Sequence, residues 1–134
     1  CYFEHCGLGA HEGLEDCYGP GQLRCQHGPT ECAANRVEAC AKVHAPSTYW
    51  ESSKCIERAF YTGTLKNGDS EEQVLKQAKA CGVDPGLLAS CYGSAAGNQA
   101  IEDMAKATPP HPGVPYVLVN NMPLQNTSEL LQTV

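Results

Sequence analysis

The sequence predicts an α/β chain that is mostly helical, carries a β-hairpin and a helix at its C-terminal end, and is rich in disulfides. Helix caps and apolar residues at helical spacing recur between Gly28 and Ala107. A β-branched, apolar run follows from Val114 to Val119. Nine cysteines in 134 residues are typical of an oxidising compartment, where disulfides stabilise small domains.

Length and charge exclude several classes of protein. A chain of 134 residues predicts one domain. Its 15 Asp and Glu against 9 Lys and Arg disfavour nucleic acid as a partner, because phosphate binding requires a basic surface. No apolar run approaches the roughly 18 residues of a membrane span. Serine-hydrolase, phosphate-loop and dinucleotide signatures are absent, so the sequence predicts no nucleotide cofactor.

The opening segment, residues 1–24, is rich in cysteine and glycine, a composition that disfavours helix and strand. We expect a loop held by disulfides. The alternative is a zinc site, but the usual paired spacing of zinc ligands is missing, and we predict no metal; its candidate ligands are Cys1, His5, Cys6, His11 and Cys17. Because the chain begins inside this loop and ends at Val134 within a helical pattern, we expect a piece of a longer protein.

A series of helices is expected between this loop and the apolar run. Gly28-Pro29 forms a turn, and Thr30 is the predicted N-cap of a helix from Glu31 to about His44, with Val37, Cys40 and Ala41 on its buried face. Further helices are predicted over Tyr49–Phe60, from a Ser70–Gln73 capping box to Ala80, from Asp84-Pro85 through Cys91, and over Ser94–Ala107.

The C-terminal segment changes pattern. The run Val114–Val119 predicts a buried strand, and Asn120-Asn121 suits a tight hairpin turn. Met122–Leu124 then forms a short return strand, in which Pro123 is tolerated at an edge. Ser128 is the predicted cap of a final helix.

One block carries the strongest indication of function: Cys-Gln-His-Gly, two residues, Glu-Cys, two residues, Asn, four residues, Cys. This pattern resembles the signature of the gamma-interferon-inducible lysosomal thiol reductase (GILT) family. Eight fixed positions at fixed spacing make a chance match improbable. The matching residues are Cys25, Gln26, His27, Gly28, Glu31, Cys32, Asn35 and Cys40.

The resemblance covers about Leu23 to Val134 and implies a thioredoxin-like fold with a helical insertion. In such folds a cis-proline precedes a C-terminal strand, and Pro115 occupies the matching place. We therefore expect a single GILT-like domain over 1–134 that is incomplete at its N-terminus. It divides into the loop 1–24, a helical insertion 25–108 and a strand-hairpin-helix 109–134.

The family's chemistry, disulfide reduction by a Cys-X-X-Cys dithiol, is implied by the resemblance. It further implies protein substrates, no cofactor, and a secretory, lysosomal or extracellular location. This sequence contains no Cys-X-X-Cys, so none of its residues is predicted to be catalytic. Two interpretations remain open: a thiol reductase whose dithiol lies elsewhere in the full protein, and a redox-inactive, disulfide-stabilised interaction module or subunit.

Individual residues of the signature allow more than one role. Cys25 is either a structural cysteine or a thiol activated by His27 or by the following helix N-terminus, and the sequence favours the structural role. Asn35 either holds a turn or contacts substrate. Cys32 and Cys40 lie two turns apart on one face, so separate disulfide partners are as plausible as a mutual bond. Asn126 begins an N-glycosylation triplet. The expected disulfide cysteines are Cys1, Cys6, Cys17, Cys25, Cys32, Cys40, Cys55, Cys81 and Cys91.

Overall fold

Helices and a short hairpin make up the part of the chain that the structure, a computed structural model, describes: residues 25, 27–109 and 116–124. The helices are α1 (Pro29–His44), α2 (Pro46–Thr62), α3 (Glu71–Ala80), the single turn α4 (Pro85–Leu87), which continues as a π-helical turn (Leu88–Tyr92), and α5 (Ala95–Ala107). The antiparallel strands are β1 (Leu118–Val119) and β2 (Met122–Pro123). The prediction of a mostly helical chain with a small C-terminal sheet is confirmed.

Three helix starts have side-chain caps, and the sequence predicts two of them, at Ser70 and Asp84. At α3, Ser70 and Gln73 form the reciprocal capping box. The Asp84 carboxylate accepts a hydrogen bond from the Leu87 amide, 2.9 Å away, and the Ser94 hydroxyl accepts one from the Ala96 amide. Each cap satisfies a backbone donor that the first helical turn leaves unpaired.

The start of α1 differs from the prediction. Its N-cap is Gly28, and the helix begins at Pro29 without a side-chain cap. Thr30, the predicted N-cap, is buried inside the first turn. Its hydroxyl donates to the Asp69 carbonyl at 2.8 Å and accepts from the Gly68 amide at 3.0 Å. The predicted cap is therefore wrong, because a tertiary contact with the α2–α3 loop uses this hydroxyl. Helix α2 also begins earlier than predicted, at Pro46.

The hairpin turn is confirmed, but the burial of its first strand is not. Asn120 and Asn121 have φ values of 50° and 64°, as a two-residue turn with both central residues left-handed requires. Leu118 and Val119 are 38% and 45% exposed. The predicted buried strand is therefore wrong at these two positions, since within the described residues β1 pairs only with β2. Residues 114 and 115 and the predicted helix at Ser128 lie outside the described residues.

Helix α1 is central to the core. It packs against α2, α3, α5 and the π turn. Its predicted apolar face is buried, with Val37 and Cys40 inaccessible to solvent. Around this face lie the largest buried side chains of the other elements, which are Ile56 from α2, Val74 from α3 and Cys91 from the π turn.

A buried arginine on α1 holds the π turn and α5 together. Arg36 is 6% exposed. Its guanidinium donates to the carbonyls of Tyr92 (2.6 Å) and Ser94 (3.0 Å) and to the Asn98 side-chain oxygen (2.6 Å). The same group lies 5.6 Å from the centre of the Tyr92 ring, a distance suitable for a cation–π contact. Burial lowers the pKa of Arg36, although the group stays protonated in proteins.

This arrangement requires a glycine on α5. A Cβ atom at Gly97 would lie 2.6 Å from the Cys91 carbonyl oxygen and 2.8 Å from Arg36 Nη2. Real Cβ atoms do not approach other atoms so closely, so the side chain is absent because the backbones of α5 and the π turn come into contact here.

Gly97→Ala is expected to lower the free energy of unfolding by about 1–3 kcal/mol, because the added methyl must displace the π turn or the guanidinium. Urea denaturation monitored by circular dichroism measures this change. Gly93→Ala is the matched control, since Gly93 has φ −84° and a methyl group at this position would meet no other atom within 4 Å. Equal stability of the two variants would contradict the proposed close approach.

Candidate functional site

The signature block forms one structural unit at the N-terminus of α1. Cys25 and Cys32 are joined by a disulfide. Between them the backbone turns through Gly28, which has φ 94°, a conformation that side chains strongly disfavour. The Gly28 amide donates to the Cys25 carbonyl at 3.1 Å, and the Gly28 carbonyl accepts the first helical bond from Cys32. The glycine therefore permits both the turn and the start of the helix.

Polar side chains of the signature hold this unit. The Glu31 carboxylate accepts a 2.7 Å hydrogen bond from the His27 amide and lies 3.3 Å from His27 Nδ1. The Asn35 side-chain amide, one turn into α1, points its nitrogen to Cys25 Sγ at 3.9 Å. Glu31 thus satisfies a donor before the helix, as a capping residue does, and Asn35 offers an N–H to sulfur. Gln26 lies outside the described residues.

The six described cysteines form three disulfides, so the prediction of a disulfide-containing chain is confirmed. Cys25 is paired and is not a free thiol. Cys32 and Cys40 have separate partners: the other bonds are Cys40–Cys91, from α1 to the π turn, and Cys55–Cys81, from α2 to the end of α3. The predicted disulfide cysteines Cys1, Cys6 and Cys17 lie outside the described residues.

The three disulfides constrain the unfolded chain to different extents. Their cysteines are separated by 7, 51 and 26 residues for Cys25–Cys32, Cys40–Cys91 and Cys55–Cys81. Loop-closure entropy then gives contributions to stability of about 2.5, 4 and 3.5 kcal/mol. The bond within the signature contributes least.

An open cleft of about 560 Å³ adjoins the signature unit. Signature side chains from α1 and from the turn before it form one wall, α2 forms the second, and the loop after α2 forms the third. The cleft combines carboxylates, a histidine and a lysine with an apolar surface. Its lining residues are His27, Glu31, Ala34, Asn35, Glu57, Phe60, Gly63, Leu65, Lys66 and Asn67.

A pair of carboxyl groups lies between α1 and α2, beside this cleft. The Glu38 carboxyl on α1 lies close to that of Glu57 on α2, near enough for a hydrogen bond when one of them is protonated. Among the described residues, the Oε1 atom of Glu38 is buried without a hydrogen-bond partner. Burial, followed by the charge of Glu57 and their hydrogen bond, raises the pKa of Glu38 to about 8. Two carboxyl groups can share a hydrogen bond only when one of them holds a proton, and the raised pKa indicates that Glu38 holds it in acid.

Several predicted site residues lie outside the part of the chain that the structure describes. Pro115 and Asn126 are not among the described residues. The described ranges contain no group of three or more His, Cys, Asp or Glu side chains placed to hold a metal ion, and the five candidate ligands of the opening loop lie outside them. No helix in the described part of the chain is long and apolar enough to cross a membrane.

Sequence reasoning missed three residues around the site: Arg36, Glu38 and Glu57. Arg36 precedes Cys40 by four residues, so the helical period places it on the buried face. This spacing predicts that Arg36 is buried, and a buried cation requires hydrogen-bond acceptors around it. Glu38 and Glu57 have no comparable signal, because their contact depends on how α1 and α2 pack.

The carboxyl pair predicts that stability falls as pH rises. The folded chain retains the Glu38 proton up to about pH 8, whereas an unfolded Glu loses it near pH 4.3. Between these values the folded state binds more protons, so the free energy of unfolding decreases with pH, by at most about 1.4 kcal/mol per pH unit. Glu38→Gln removes this titration and should flatten the profile between pH 5 and 8.

Urea denaturation at several pH values measures that slope. The matched control is Glu51→Gln, which removes an exposed carboxylate paired only with Lys54 in the described contacts and should leave the slope unchanged. A Glu38→Gln variant with the same slope as the parent chain would show that this carboxyl pair is not the origin of the pH dependence.

Comparison with known proteins agrees with the signature. The family model described as gamma interferon inducible lysosomal thiol reductase (GILT) matches residues 7–82. That match starts before Leu23, where the sequence resemblance is expected to begin, and includes Cys17. No solved structure matches the chain, and the thioredoxin-like fold therefore stays a prediction.

Two curated relatives carry names that agree with this family model. The gamma-interferon-inducible lysosomal thiol reductase of Mus musculus is 36% identical over 124 residues, covering 87% of this chain and 46% of the relative. The gamma-interferon-responsive lysosomal thiol protein of Arabidopsis thaliana is 29% identical over 121 residues, covering 81% of this chain and 46% of the relative. The chain thus spans about half the length of the curated relatives it matches. With its signature folded as one unit and its family model matched over more than half of its length, the chain belongs to the GILT family.

Proposed function

We propose that this chain is part of a thiol-disulfide oxidoreductase that reduces disulfides of protein substrates in the lysosome or elsewhere in the secretory pathway. The observation that carries this proposal is the signature unit, whose residues make direct contacts with one another or define one turn. These residues are Cys25, His27, Gly28, Glu31, Cys32 and Asn35. A relative named as a lysosomal thiol reductase, 36% identical to this chain, supports the same activity.

Within the enzyme, this chain is proposed to build part of the fold and to provide a surface that contacts the substrate. We propose a thioredoxin-like domain in which 25–108 forms the helical insertion and 109–134 the C-terminal strand, hairpin and helix, with Pro115 as the cis-proline. The attacking dithiol belongs to another part of the protein, because the chain has no Cys-X-X-Cys. The cleft beside the signature unit is the surface on which a substrate polypeptide would lie, and Asn126 is a proposed glycosylation site.

The acidic carboxyl pair supports a lysosomal location. Since the pKa of Glu38 is raised to about 8, the folded chain keeps a proton that the unfolded chain loses near pH 4.3, and its free energy of unfolding is larger in acid than at neutral pH. Disulfides that join helices over 26 and 51 residues also suit a compartment with acid and proteases, because they raise the free energy of the unfolded state.

One sequence observation favours a second candidate. Because the dithiol is absent from these 134 residues, the chain can also serve as a redox-inactive, disulfide-stabilised module that binds partner proteins. This candidate requires that the longest natural polypeptide containing the sequence also lacks a Cys-X-X-Cys.

Insulin reduction separates the two candidates. We expect the 134-residue chain to reduce insulin no faster than the reductant alone, since it has no Cys-X-X-Cys. The longest natural polypeptide containing this sequence is expected to show turnover at acidic pH in the presence of a thiol reductant. Its control is the same polypeptide with both Cys-X-X-Cys cysteines changed to serine, which should be inactive. Turnover by the 134-residue chain, or none by the longer form, would contradict the proposal.

A further inference from the structure

The disulfide of the signature unit has a different structural task from the other two. Cys40–Cys91 and Cys55–Cys81 each join two separate helical elements. Cys25–Cys32 joins a turn to the helix that immediately follows it, across seven residues of sequence. Opening this bond therefore breaks no covalent link between helices, and the core around α1 does not depend on it.

We propose that Cys25–Cys32 is a reversible thiol-disulfide exchange site at the edge of the cleft, opened by a dithiol of a protein or a small molecule. This inference rests on the proposed function only in that the enzyme's Cys-X-X-Cys would be one natural source of that dithiol. Reducibility of the bond is a property of this chain and does not require the chain to be an enzyme.

The surroundings of the two sulfurs favour exchange at this bond. Cys32 is the fourth residue of α1, where the positive end of the helix dipole stabilises a thiolate. Cys25 Sγ lies 3.9 Å from the Asn35 amide nitrogen, which donates to the sulfur. Both cysteines are partly exposed, and His27, Glu31 and Asn35 line the adjoining cleft.

The other disulfides lack this combination. Cys40 and Cys91 are 0% and 1% exposed, so an attacking thiolate has no access to their sulfurs. Cys81 also receives a side-chain donor, from Gln77 at 3.3 Å. However, Cys81 is the C-cap of α3, where the negative end of the helix dipole disfavours a thiolate.

The exchange is balanced by the dithiol. One thiolate of the dithiol attacks Cys25 Sγ, the bond between Cys25 and Cys32 breaks, and Cys32 leaves as a thiolate at the helix N-terminus. The second thiol of the dithiol then attacks the first sulfur of the same dithiol, which is the one bonded to Cys25 in the mixed disulfide. Cys25 leaves as a thiolate and accepts the Asn35 hydrogen bond. The dithiol is oxidised to a disulfide, and its two electrons and two protons reduce Cys25 and Cys32 to thiols.

Native redox titration tests this proposal. The full chain is equilibrated with increasing ratios of reduced to oxidised dithiothreitol, quenched in acid, alkylated and mapped by mass spectrometry. We expect Cys25 and Cys32 to be half-reduced at a ratio at least fivefold below that for Cys55–Cys81, with the helical circular dichroism retained. Earlier reduction of Cys55–Cys81 or Cys40–Cys91, or joint reduction of all six cysteines with loss of helix, would overturn the proposal.

A pair of matched variants tests the role of the amide donors. Asn35→Ala should slow the reduction of Cys25–Cys32 about fivefold, the equivalent of one hydrogen bond. Gln77→Ala removes the corresponding donor at Cys81 and should leave the Cys25–Cys32 rate unchanged. Equal effects of both variants on that rate would contradict a specific role for Asn35. The titration of the unmodified chain decides the proposal even where a variant fails to fold.

Insulin turnover by the longest natural polypeptide distinguishes this inference from the proposed function. Selective reduction of Cys25–Cys32 in a polypeptide without turnover would overturn only the proposed function. Turnover in a polypeptide whose Cys25–Cys32 bond resists reduction as long as the other two would overturn only the exchange site.

Discussion

The attachment of α1 to the π turn is the constraint on which the rest of the structure depends. Arg36 and Cys40 lie one helical turn apart, and they hold the consecutive residues Tyr92 and Cys91 by hydrogen bonding and by a disulfide. A buried guanidinium needs acceptors to replace its lost hydration. The carbonyls of Tyr92 and Ser94 supply them. The Tyr92 carbonyl lies where the π turn ends, and a helix end leaves carbonyls without helical partners. The Ser94 carbonyl also accepts from the Gly97 amide. The buried charge and the carbonyl at the end of the π turn therefore satisfy each other.

This attachment fixes the position of the signature unit. Because α1 is held at its middle and packs on α2, α3 and α5, the turn at its N-terminus has a defined place beside the α2–α3 loop. Thr30 strengthens that placement through hydrogen bonds to Gly68 and Asp69. The cleft walls are consequently positioned by the core, while the Cys25–Cys32 bond adds only a local closure. In this arrangement, Cys40–Cys91 and Cys55–Cys81 link the helices, and the proposed exchange takes place at Cys25–Cys32.

Most of the helices can be predicted from the sequence, because their start signals act locally. Ser70, Asp84 and Ser94 cap helices with their own side chains, and such contacts need no information from distant residues. The prediction for Thr30 fails because its hydroxyl is used by a loop 38 residues away. The disulfide partners and the Glu38–Glu57 contact cannot be predicted for the same reason: they depend on how helices pack. The eight signature positions can be found by their resemblance to the family's pattern, but their mutual contacts cannot.

The carboxyl pair and the signature disulfide impose opposite demands on pH. The Glu38–Glu57 contact is favoured in acid, where a protonated carboxyl completes the hydrogen bond. Thiol-disulfide exchange requires a thiolate, and an ordinary cysteine with a pKa near 8.5 is only about 0.03% ionised at pH 5. A site that exchanges under the conditions where the α1–α2 contact is most stable must therefore stabilise its thiolates by other means. The dipole of α1 acts on Cys32, and the Asn35 amide acts on Cys25. Both act at the N-terminal end of α1.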